Sequence, residues 1–415
     1  MSRIELSSSI PSSSSSTGSV PARDWGSLPK DVLPLISKKL YSVHYTRQVR
    51  AVCHHFKFSI PNPPRPPNPR LDLPYPFPVE YPSTSFPDEF YVLVESKIYA
   101  IEPHNADETT RTWMVKVQES HTDRVQVEHP LSRFLPPPFA DNLPNALNLL
   151  DLRVVEVDKK YRLQHFSGIE GKILPVSNTE PISFKKVAVT TCYSQDDDKF
   201  TILALFNYKL ALWRNVDKDW IIIERDPDKF ERHDVFVDIL YHNQTFYALT
   251  MSGIVTRIDA ETLTFYKITQ PAQFGNKGIL HLVGSLNDLL LVVKYQSWFE
   301  LGTYDGLSFK VYRLDMRRLS WIRMESGLED RILFLGDDCS YSVSAKEFHG
   351  CRGNCIYFHH FKCSSFVITK NVQPSKKISV YDLTEGAVVE GFPEIFSPPP
   401  WLEHHSMSVP RDQIG

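Results

Sequence analysis

Short stretches that alternate between apolar and polar residues recur from about residue 86 to residue 383, and they constrain the fold of this chain most. The stretches are rich in Val, Ile, Tyr and Phe, residue types that favour strands, and turn-forming residues separate them. This pattern predicts an all-β region over most of the chain. Strands that meander in this way need closure or stacking to hide their edges.

Three stretches show how the strands are placed. Residues 201–223 predict three strands that turn at Asn207 and between Asn215 and Asp219. Residues 237–259 predict three more, with turns at His242–Asn243 and at Ser252–Gly253, where glycine can take a positive φ. Residues 90–103 predict two strands joined through Glu95, Ser96 and Lys97.

The strands follow a loose repeat. A strand that ends in Tyr or Phe meets a turn, a second strand leads to an Asp or Arg, and a tryptophan closes several units: Trp113, Trp220 and Trp321. Such units resemble the blades of a β-propeller. Roughly 315 residues at about 40 to 50 per blade predict about six or seven blades, with a pair of stacked sandwiches as the competing architecture.

Composition divides the chain into five parts. Residues 1–22 are dominated by serine and predict a disordered tail. Residues 23–60 carry apolar residues at helical spacing, and residues 61–85 are rich in proline, which favours a stiff, extended linker. Residues 86–402 form the predicted β-domain, and residues 403–415 form a C-terminal tail.

The segment from Trp25 to Ile60 predicts two short amphipathic helices. The first apolar stripe contains Leu28, Val32, Leu33, Ile36 and Leu40, and the second contains Val43, Val49, Val52, Cys53 and Phe56. Pro29 suits the start of a helix, and Pro34 predicts that the first helix starts later or is kinked. Fewer than about forty residues cannot bury both stripes alone, so this surface packs on the rest of the chain or on another protein.

The pattern Trp-x-x-Leu-Pro-x-Asp-x-Leu-x-x-Ile from Trp25, followed by Arg50-Ala51-Val52-Cys53 and an aromatic, resembles an F-box. An F-box holds a Skp-type adaptor in an SCF ubiquitin ligase, and the family usually has Trp where this chain has Phe56. The resemblance implies these adaptor contacts: Leu28, Pro29, Leu33, Ile36, Leu40, Val49, Val52 and Cys53. The alternative is an ordinary helical cap on the larger domain.

A second resemblance covers most of residues 25–400. The segments LALWRNVDKDW, YHNQTFYALTMSGIVTRID and RILFLGDDCSYSVSAKEFHGCRGNCIYF look like the C-terminal domain of a large, long-uncharacterised family of plant F-box proteins. That resemblance implies a mainly β fold, a kelch-like β-propeller preceded by a small α-helical F-box. It also implies substrate recognition in protein ubiquitination.

Overall composition argues against several classes of protein without excluding local binding of nucleic acid or membrane. The net charge of −3 gives no global field for nucleic acid or an anionic membrane. Six cysteines in 415 residues do not suggest a disulfide scaffold, and neither a signal peptide nor an apolar run of membrane-spanning length is found. We therefore expect a protein of the nucleus or cytoplasm, without a membrane partner and with nucleic acid as an improbable partner.

One constellation has the residue types of a zinc site, namely His349, Cys351, Cys355 and His359, with His360 and Cys363 nearby. Residues four apart on a strand lie about 13 Å from each other, too far to share one ion. The sequence therefore predicts no metal site. Common catalytic signatures such as a phosphate loop, a nucleophile elbow or an HExxH pair are absent from the sequence.

The sequence thus predicts a substrate-recognition subunit that is not an enzyme and needs no cofactor. Its partners would be a Skp-type adaptor, through it a cullin, and an unknown target protein. Two alternatives remain open: a β-propeller hydrolase with a helical cap, and a regulator that binds nucleic acid. The second rests on two spots that combine cations with aromatic residues, Arg111 and Lys116 near Trp113, and Arg313 to Arg323 around Trp321.

Overall fold

The chain divides into two compact units, residues 1–66 and residues 67–415, each of which is described by itself. The computed structural model describes residues 29, 32–33, 49–50, 54–60, 89–107, 110–119, 125–131, 147, 150–169, 172–175, 184–190, 200–217, 220–223, 234–272, 274, 278–295, 306–325, 327–359, 378–389 and 395–405. The five-part division expected from the sequence is finer than these two units and stays a prediction.

The first unit is helical where it is described. Helix α1 (His54–Ser59) ends the segment, and Val32, Leu33, Val49 and Arg50 are also in helical conformation. Pro34, whose effect on the first helix is in question, lies outside the described residues. No described helix is both long and apolar enough to span a bilayer.

The second unit is built from sheets in which nearly all the described strand pairs are antiparallel. Blade 1 contains β1 (Glu89–Pro103), β2 (Trp113–Glu119), β3 (Val125–Glu128) and β4 (Leu152–Ile169). The short strand β5 (Lys172–Pro175) extends this blade. The strand order of blade 1 is β3-β2-β1-β4, and β5 pairs with β4.

Blade 2 contains β6 (Phe184–Val189), β7 (Thr201–Phe206), β8 (Lys209–Arg214) and β9 (Trp220–Ile223). Its strands follow one another in sequence order, and β6 joins β4 through the pair Tyr161 and Val187. Blades 1 and 2 therefore form one nine-stranded sheet.

Blades 3 and 4 are simple four-stranded meanders. Blade 3 contains β10 (Phe236–His242), β11 (Thr245–Thr250), β12 (Val255–Asp259) and β13 (Thr264–Lys267). Blade 4 contains β14 (Gly278–Ser285), β15 (Asp288–Tyr295), β16 (Ser308–Asp315) and β17 (Ser320–Arg323).

Blade 5 has a different topology. It contains β18 (Arg331–Leu335), β19 (Ser340–Ser344), β20 (Cys355–His359), β21 (Ile378–Asp382) and β22 (Ala387–Val389), in the order β19-β18-β20-β21-β22. After β19 the chain makes a 3-10 turn at Ala345–Glu347 and returns to place β20 parallel to β18. A second 3-10 helix, Pro400–His405, follows near the end of the chain.

The structure confirms a mainly β propeller fold, but its described strands form five blades where division of the length predicts about six or seven. Strands β1 and β4 have 15 and 18 residues, and long stretches of sequence separate strands such as β3 and β4. Blade 1 with its extension, from Glu89 to Pro175, therefore uses many more residues than the 40 to 50 typical of a propeller repeat.

The strands predicted in residues 201–223 and 237–259 are confirmed as β7 to β9 and β10 to β12. The prediction of two strands in residues 90–103 is wrong, because β1 runs unbroken through Glu95, Ser96 and Lys97. Ser96 is buried, and its hydroxyl donates a 2.8 Å hydrogen bond to Glu128. A polar residue that resembles a turn in sequence is thus satisfied inside the sheet.

Burial within blade 4 is greatest in its second strand and least in its outermost strand. In blade 4, β15 is buried along six consecutive residues, whereas β17 has no buried residue. A middle strand is covered on both faces by neighbouring blades, so its sequence is continuously apolar rather than alternating. The outer strand is covered on one side at most, which explains its polar composition.

Apolar clusters join each blade to the next. One contains residues of blades 2 and 3, another of blades 3 and 4, and another of blades 4 and 5. The cluster between blades 1 and 5 includes Ile98, Met114, Phe334 and Tyr341. The ring is therefore closed by apolar packing between its first and last blades.

Candidate functional site

The helical unit has a small core of its own. Leu33 is fully buried and packs with Phe56 and Ile60, and Val49 lies against this cluster. Arg50 donates a hydrogen bond to the carbonyl of Ile60, and the amide of Ile60 donates to the carbonyl of Phe56 at 3.0 Å. The aromatic residue that replaces the usual tryptophan therefore belongs to the core that holds the helices together.

Three of the eight candidate adaptor contacts lie among the described residues. Pro29 is exposed, Val49 is half-buried and Leu33 is buried in the cluster with Phe56. The other five lie outside the described residues: Leu28, Ile36, Leu40, Val52 and Cys53. Whether any of the eight contacts an adaptor stays a prediction.

Two exposed apolar side chains of the helical unit were not among the candidates. Val32 is 37% exposed and Phe58 is 81% exposed. Val32 was visible in the sequence as a member of the first apolar stripe. Phe58 carried no such signal, because a single aromatic residue beside Phe56 does not reveal which of the two is buried.

A cavity of about 400 Å³ lies where the innermost strands of all five blades meet. Its lining includes Lys160, Lys186, Leu240, Gly284 and Ser340, one residue from each blade. The Nζ of Lys160 lies 2.6 Å from Asp158, and the Nζ of Lys186 lies 2.7 Å from Asp238. Each lysine is thus neutralised by a carboxylate, and we interpret both ion pairs as structural contacts within the ring.

Asp238 connects three blades. Its Oδ1 accepts hydrogen bonds from Lys186 of blade 2 and from the amide of Ile239, while its Oδ2 accepts a 2.7 Å bond from the amide of Leu282 in blade 4. Burial alone raises the pKa of this carboxyl, but Lys186 and the other cations nearby outweigh burial and lower the pKa.

A second buried ion cluster joins blades 1 and 5. Lys116 Nζ lies 3.4 Å from Glu128 and 3.6 Å from Asp338, and Arg162 lies 2.7 Å from the other oxygen of Glu128. Burial disfavours the charged lysine, yet Asp338 and Glu128 raise its pKa overall. Lys116 is therefore an internal cation.

The two spots that combine cations with aromatic residues in the sequence, around Trp113 and around Trp321, differ in how deeply they are buried. Trp113 is buried, as is Lys116. Trp321 is partly buried, and its indole N–H donates a 2.9 Å hydrogen bond to the carbonyl of Gly253 in blade 3. Trp113 therefore offers no open ring on which a base could stack, and Trp321 packs in part against the cluster between blades 3 and 4.

The four described residues with zinc-like character lie apart, and His360 and Cys363 lie outside the described residues. His349 Nδ1 donates a 3.1 Å hydrogen bond to Glu102 Oε2, and Cys351 packs against the cluster between blades 1 and 5. Cys355 and His359 occupy opposite ends of β20. Among the described residues no three such side chains are grouped for a metal, and burial raises the pKa of Cys351 to about 12 and of Cys355 to about 11.

One turn geometry is repeated at the end of the third strand in blade 3 and blade 4 and after β21 in blade 5. The aspartate that closes the strand accepts, through Oδ1, the amides two and three residues later: Asp259 from Glu261 and Thr262, Asp315 from Arg317 and Arg318, and Asp382 from Thr384 and Glu385. This is the aspartate of the sequence repeat, and its role is to cap a turn.

The residue four positions after each aspartate has a positive φ. It is Leu263 at 56°, Leu319 at 52° and Gly386 at 66°. The three turns therefore share one backbone shape, and their side chains distinguish one turn from another.

Comparison with known proteins identifies the β-domain. The model of the KIB1-4 beta-propeller family matches residues 90–382, which is most of the second unit. The match covers the described strands from within β1 to the end of β21.

Similar proteins extend beyond the propeller. The chain is 27% identical to F-box protein SKIP23 of Arabidopsis thaliana, over 94% of this chain and 98% of that protein. It is 26% identical to F-box protein At2g17036, over 93% and 96%, and 24% identical to putative F-box/kelch-repeat protein At5g24040, over 91% and 98%, both also from Arabidopsis thaliana. The order of a helical segment followed by a propeller is thus shared with plant F-box proteins, and this chain belongs to the KIB1-4 beta-propeller family.

Proposed function

We propose that this protein is the substrate-recognition subunit of an SCF-type ubiquitin ligase. Residues 23–60 would bind a Skp-type adaptor and, through it, a cullin, while the propeller would bind the target protein. The observation that carries the proposal is similarity along nearly the whole chain to proteins named F-box proteins, together with the family match of the propeller.

Such a subunit needs no catalytic residue. Holding a target next to the transfer machinery raises the effective concentration of its lysines, which can accelerate transfer by many orders of magnitude. A closed ring with turns of fixed geometry suits this role because it presents variable side chains on a rigid frame.

The adaptor interface can be tested with exposed residues of the helical unit. Leu33 is a poor choice, because an aspartate there would disrupt the core with Phe56 and Ile60 and could abolish binding through unfolding. Val32→Glu changes an exposed residue on the turn that follows Pro29. Lys57→Glu is the matched control, because Lys57 is exposed on α1 and is not an apolar contact.

We expect the purified full chain to co-elute with a purified Skp-type adaptor in size-exclusion chromatography. Val32→Glu should weaken the complex by about tenfold or more in calorimetry, since a charge in the centre of an apolar interface costs about 1.4 kcal/mol or more. Lys57→Glu should bind as the wild type does. Absence of a complex with the wild-type chain would contradict the proposed function.

The compartment is also a proposal. We infer a nuclear or cytoplasmic protein, where cullin ligases would meet it, and a fluorescent fusion to the full chain in plant cells would show its distribution. Accumulation of the fusion only in the secretory pathway would contradict this inference.

A further inference from the structure

Blade 4 carries an exposed patch that its fold does not require. The patch consists of Leu286 in the turn between β14 and β15, and of Met316, Arg317, Arg318 and Leu319 in the turn between β16 and β17. We call these five residues the blade 4 patch. Leu286 is 74% exposed, Met316 54% and Leu319 46%, and both arginines are exposed.

The two turns lie at the same end of the blade. In the sheet register Ser285 pairs with Asp288, Leu290 with Arg313, and Asp315 with Ser320, so both turns extend past the same edge. They are centred two strands apart, which corresponds to about 10 Å. Arg313 lies 4.0 Å from Asp288, in agreement with this proximity.

The equivalent turns of blades 3 and 5 show whether the turn needs exposed apolar side chains at these positions. At the position after the aspartate, Ala260 in blade 3 and Leu383 in blade 5 pack against apolar clusters, whereas Met316 in blade 4 is exposed. At the positive-φ position Leu263 also packs on a cluster and blade 5 has Gly386. Leu319 belongs to no apolar cluster of the described residues.

The backbone conformation of the two leucines in the patch is one that leucine rarely adopts. Leu286 and Leu319 have φ values of 54° and 52°, a left-handed conformation that suits Gly or Asn and disfavours leucine. The corresponding turn of blade 3, between its first two strands, begins with Asn243, and the hairpin turn between β7 and β8 of blade 2 begins with Asn207. Strain of this kind, without burial to offset it, is characteristic of residues kept for an interaction.

Charge indicates the kind of partner. The equivalent middle positions are Glu261 and Thr262 in blade 3 and Thr384 and Glu385 in blade 5, so only the blade 4 turn of these three presents two cations. Arg318 is 3.9 Å from Asp315, but its side chain stays largely in solvent. An arginine pair beside three exposed apolar side chains complements a segment that combines carboxylates with apolar side chains.

We propose that the blade 4 patch binds an acidic, apolar segment of the target protein. This inference rests on the proposed function, because it names the chemistry by which the receptor recognises its target. The apolar side chains favour a protein over a nucleic acid, which would use the cations but not the two leucines and the methionine.

The test uses the purified full chain and a displayed library of random peptides of about 12 residues. Peptides that bind should contain Asp or Glu next to Leu, Ile, Phe or Met, and a synthetic copy of the best one provides a defined probe. Arg317→Glu with Arg318→Glu should weaken binding of that probe at least about tenfold, and the wild-type affinity should fall as salt rises from roughly 50 to 500 mM.

Leu286→Asn and Leu319→Asn separate binding from folding. Asparagine suits both backbone positions, so each variant should unfold at the same temperature as the wild type or at a higher one while it binds the probe more weakly. Glu261→Ala with Thr262→Ala in the equivalent turn of blade 3 is the matched control and should leave probe binding unchanged.

Several results would overturn the inference: no enriched peptides, enriched peptides without acidic residues, or equal binding to wild type and patch variants. Single-stranded RNA that binds the wild type and not the arginine variants, without any peptide doing so, would assign the patch to nucleic acid instead. Self-association that Leu286→Asn abolishes would assign it to a second copy of the chain. Adaptor binding is measured on the same preparations, so failure of the proposed function is seen separately from failure at the patch.

Discussion

Asp238 is a buried carboxylate at the meeting point of blades 2, 3 and 4, and its removal should affect the whole ring. Asp238→Ala leaves Lys186 buried without its partner and removes the acceptor of the Leu282 amide. Loss of one partner of a buried ion pair costs roughly 3 to 5 kcal/mol, so we expect a loss of that order in the free energy of unfolding. Denaturant unfolding monitored by tryptophan fluorescence measures it.

The control is a pair nearer the surface. Asp217 forms an ion pair with Arg214 in which both side chains are partly exposed, and Asp217→Ala should cost no more than about 1 kcal/mol. Equal effects of the two substitutions would show that Asp238 does not have the structural role assigned to it.

Lys294 is a buried cation whose contribution depends on pH. Burial lowers its pKa to about 8, although Asp337 acts in the opposite direction, and its Nζ lies 5.0 Å from the centre of the Phe358 ring. Between pH 8 and the ordinary lysine pKa the unfolded state binds more protons than the folded state, so stability rises with pH across that window. Below pH 8 the cost of the buried charge is fully present.

We therefore expect Lys294→Met to raise the free energy of unfolding at pH 7 by up to about 3 kcal/mol. This value corresponds to the lowering of the Lys294 pKa from 10.5 to about 8. The advantage of the variant should shrink as pH rises from about 8 to about 10.5. Thermal unfolding of both proteins across this pH range checks it. A difference in stability that does not change with pH would contradict the buried-cation interpretation.

At the scale of the element, the aspartate-capped turns connect sequence repeat and structure. Asp382 is buried, and its Oδ1 accepts the amides of Thr384 and Glu385. Asp382→Ala leaves two amides without an acceptor and should lower the free energy of unfolding by about 1 to 3 kcal/mol. Asp382→Asn keeps a side-chain oxygen and should cost less; an equal or larger cost would argue against the capping role.

Strands differ in how far their sequences predict them. The turns at Asn207 and at Ser252–Gly253 are predicted by residues that accept a positive φ, and Asn207 and Gly253 have one. Strand β1 was predicted as a hairpin, because Glu95, Ser96 and Lys97 look like a turn. The Ser96 hydroxyl is satisfied by Glu128, which is 32 residues away in the sequence, a contact that no local pattern contains.

For the whole molecule, the closure of the ring depends on the end of the chain. The amide of Met114 donates to the carbonyl of Ile395 at 2.7 Å, the indole of Trp401 donates to the carbonyl of Arg111 at 2.9 Å, and Leu402 is buried against blade 1. A chain that ends at Glu390 should therefore lose the packing that completes blade 1.

We expect the chain truncated after Glu390 to be largely insoluble or to unfold at least about 8 °C below the wild type, whereas truncation after His405 should be tolerated. Yield of soluble protein and scanning calorimetry compare the two. A shorter chain that unfolds like the wild type would show that the ring closes without residues 391–415.

The sequence by itself determined the class of the fold. The alternating apolar pattern predicted strands, the proline-rich stretch separated them from a helical segment, and the resemblance to F-box proteins indicated the order of parts that the comparisons then supported. These signals are local, since strand periodicity and turn residues depend on the few residues around them.

Only the tertiary structure decided how the described strands group into blades, which polar residues are internal and which exposed residues have no structural role. Lys116 and Trp113 looked like a surface for nucleic acid and are buried, whereas Leu286 and Leu319 are apolar and yet exposed. The physical reason is that burial in a propeller arises between blades, among residues far apart in sequence. A residue's own neighbours in the chain therefore do not reveal whether another blade covers it.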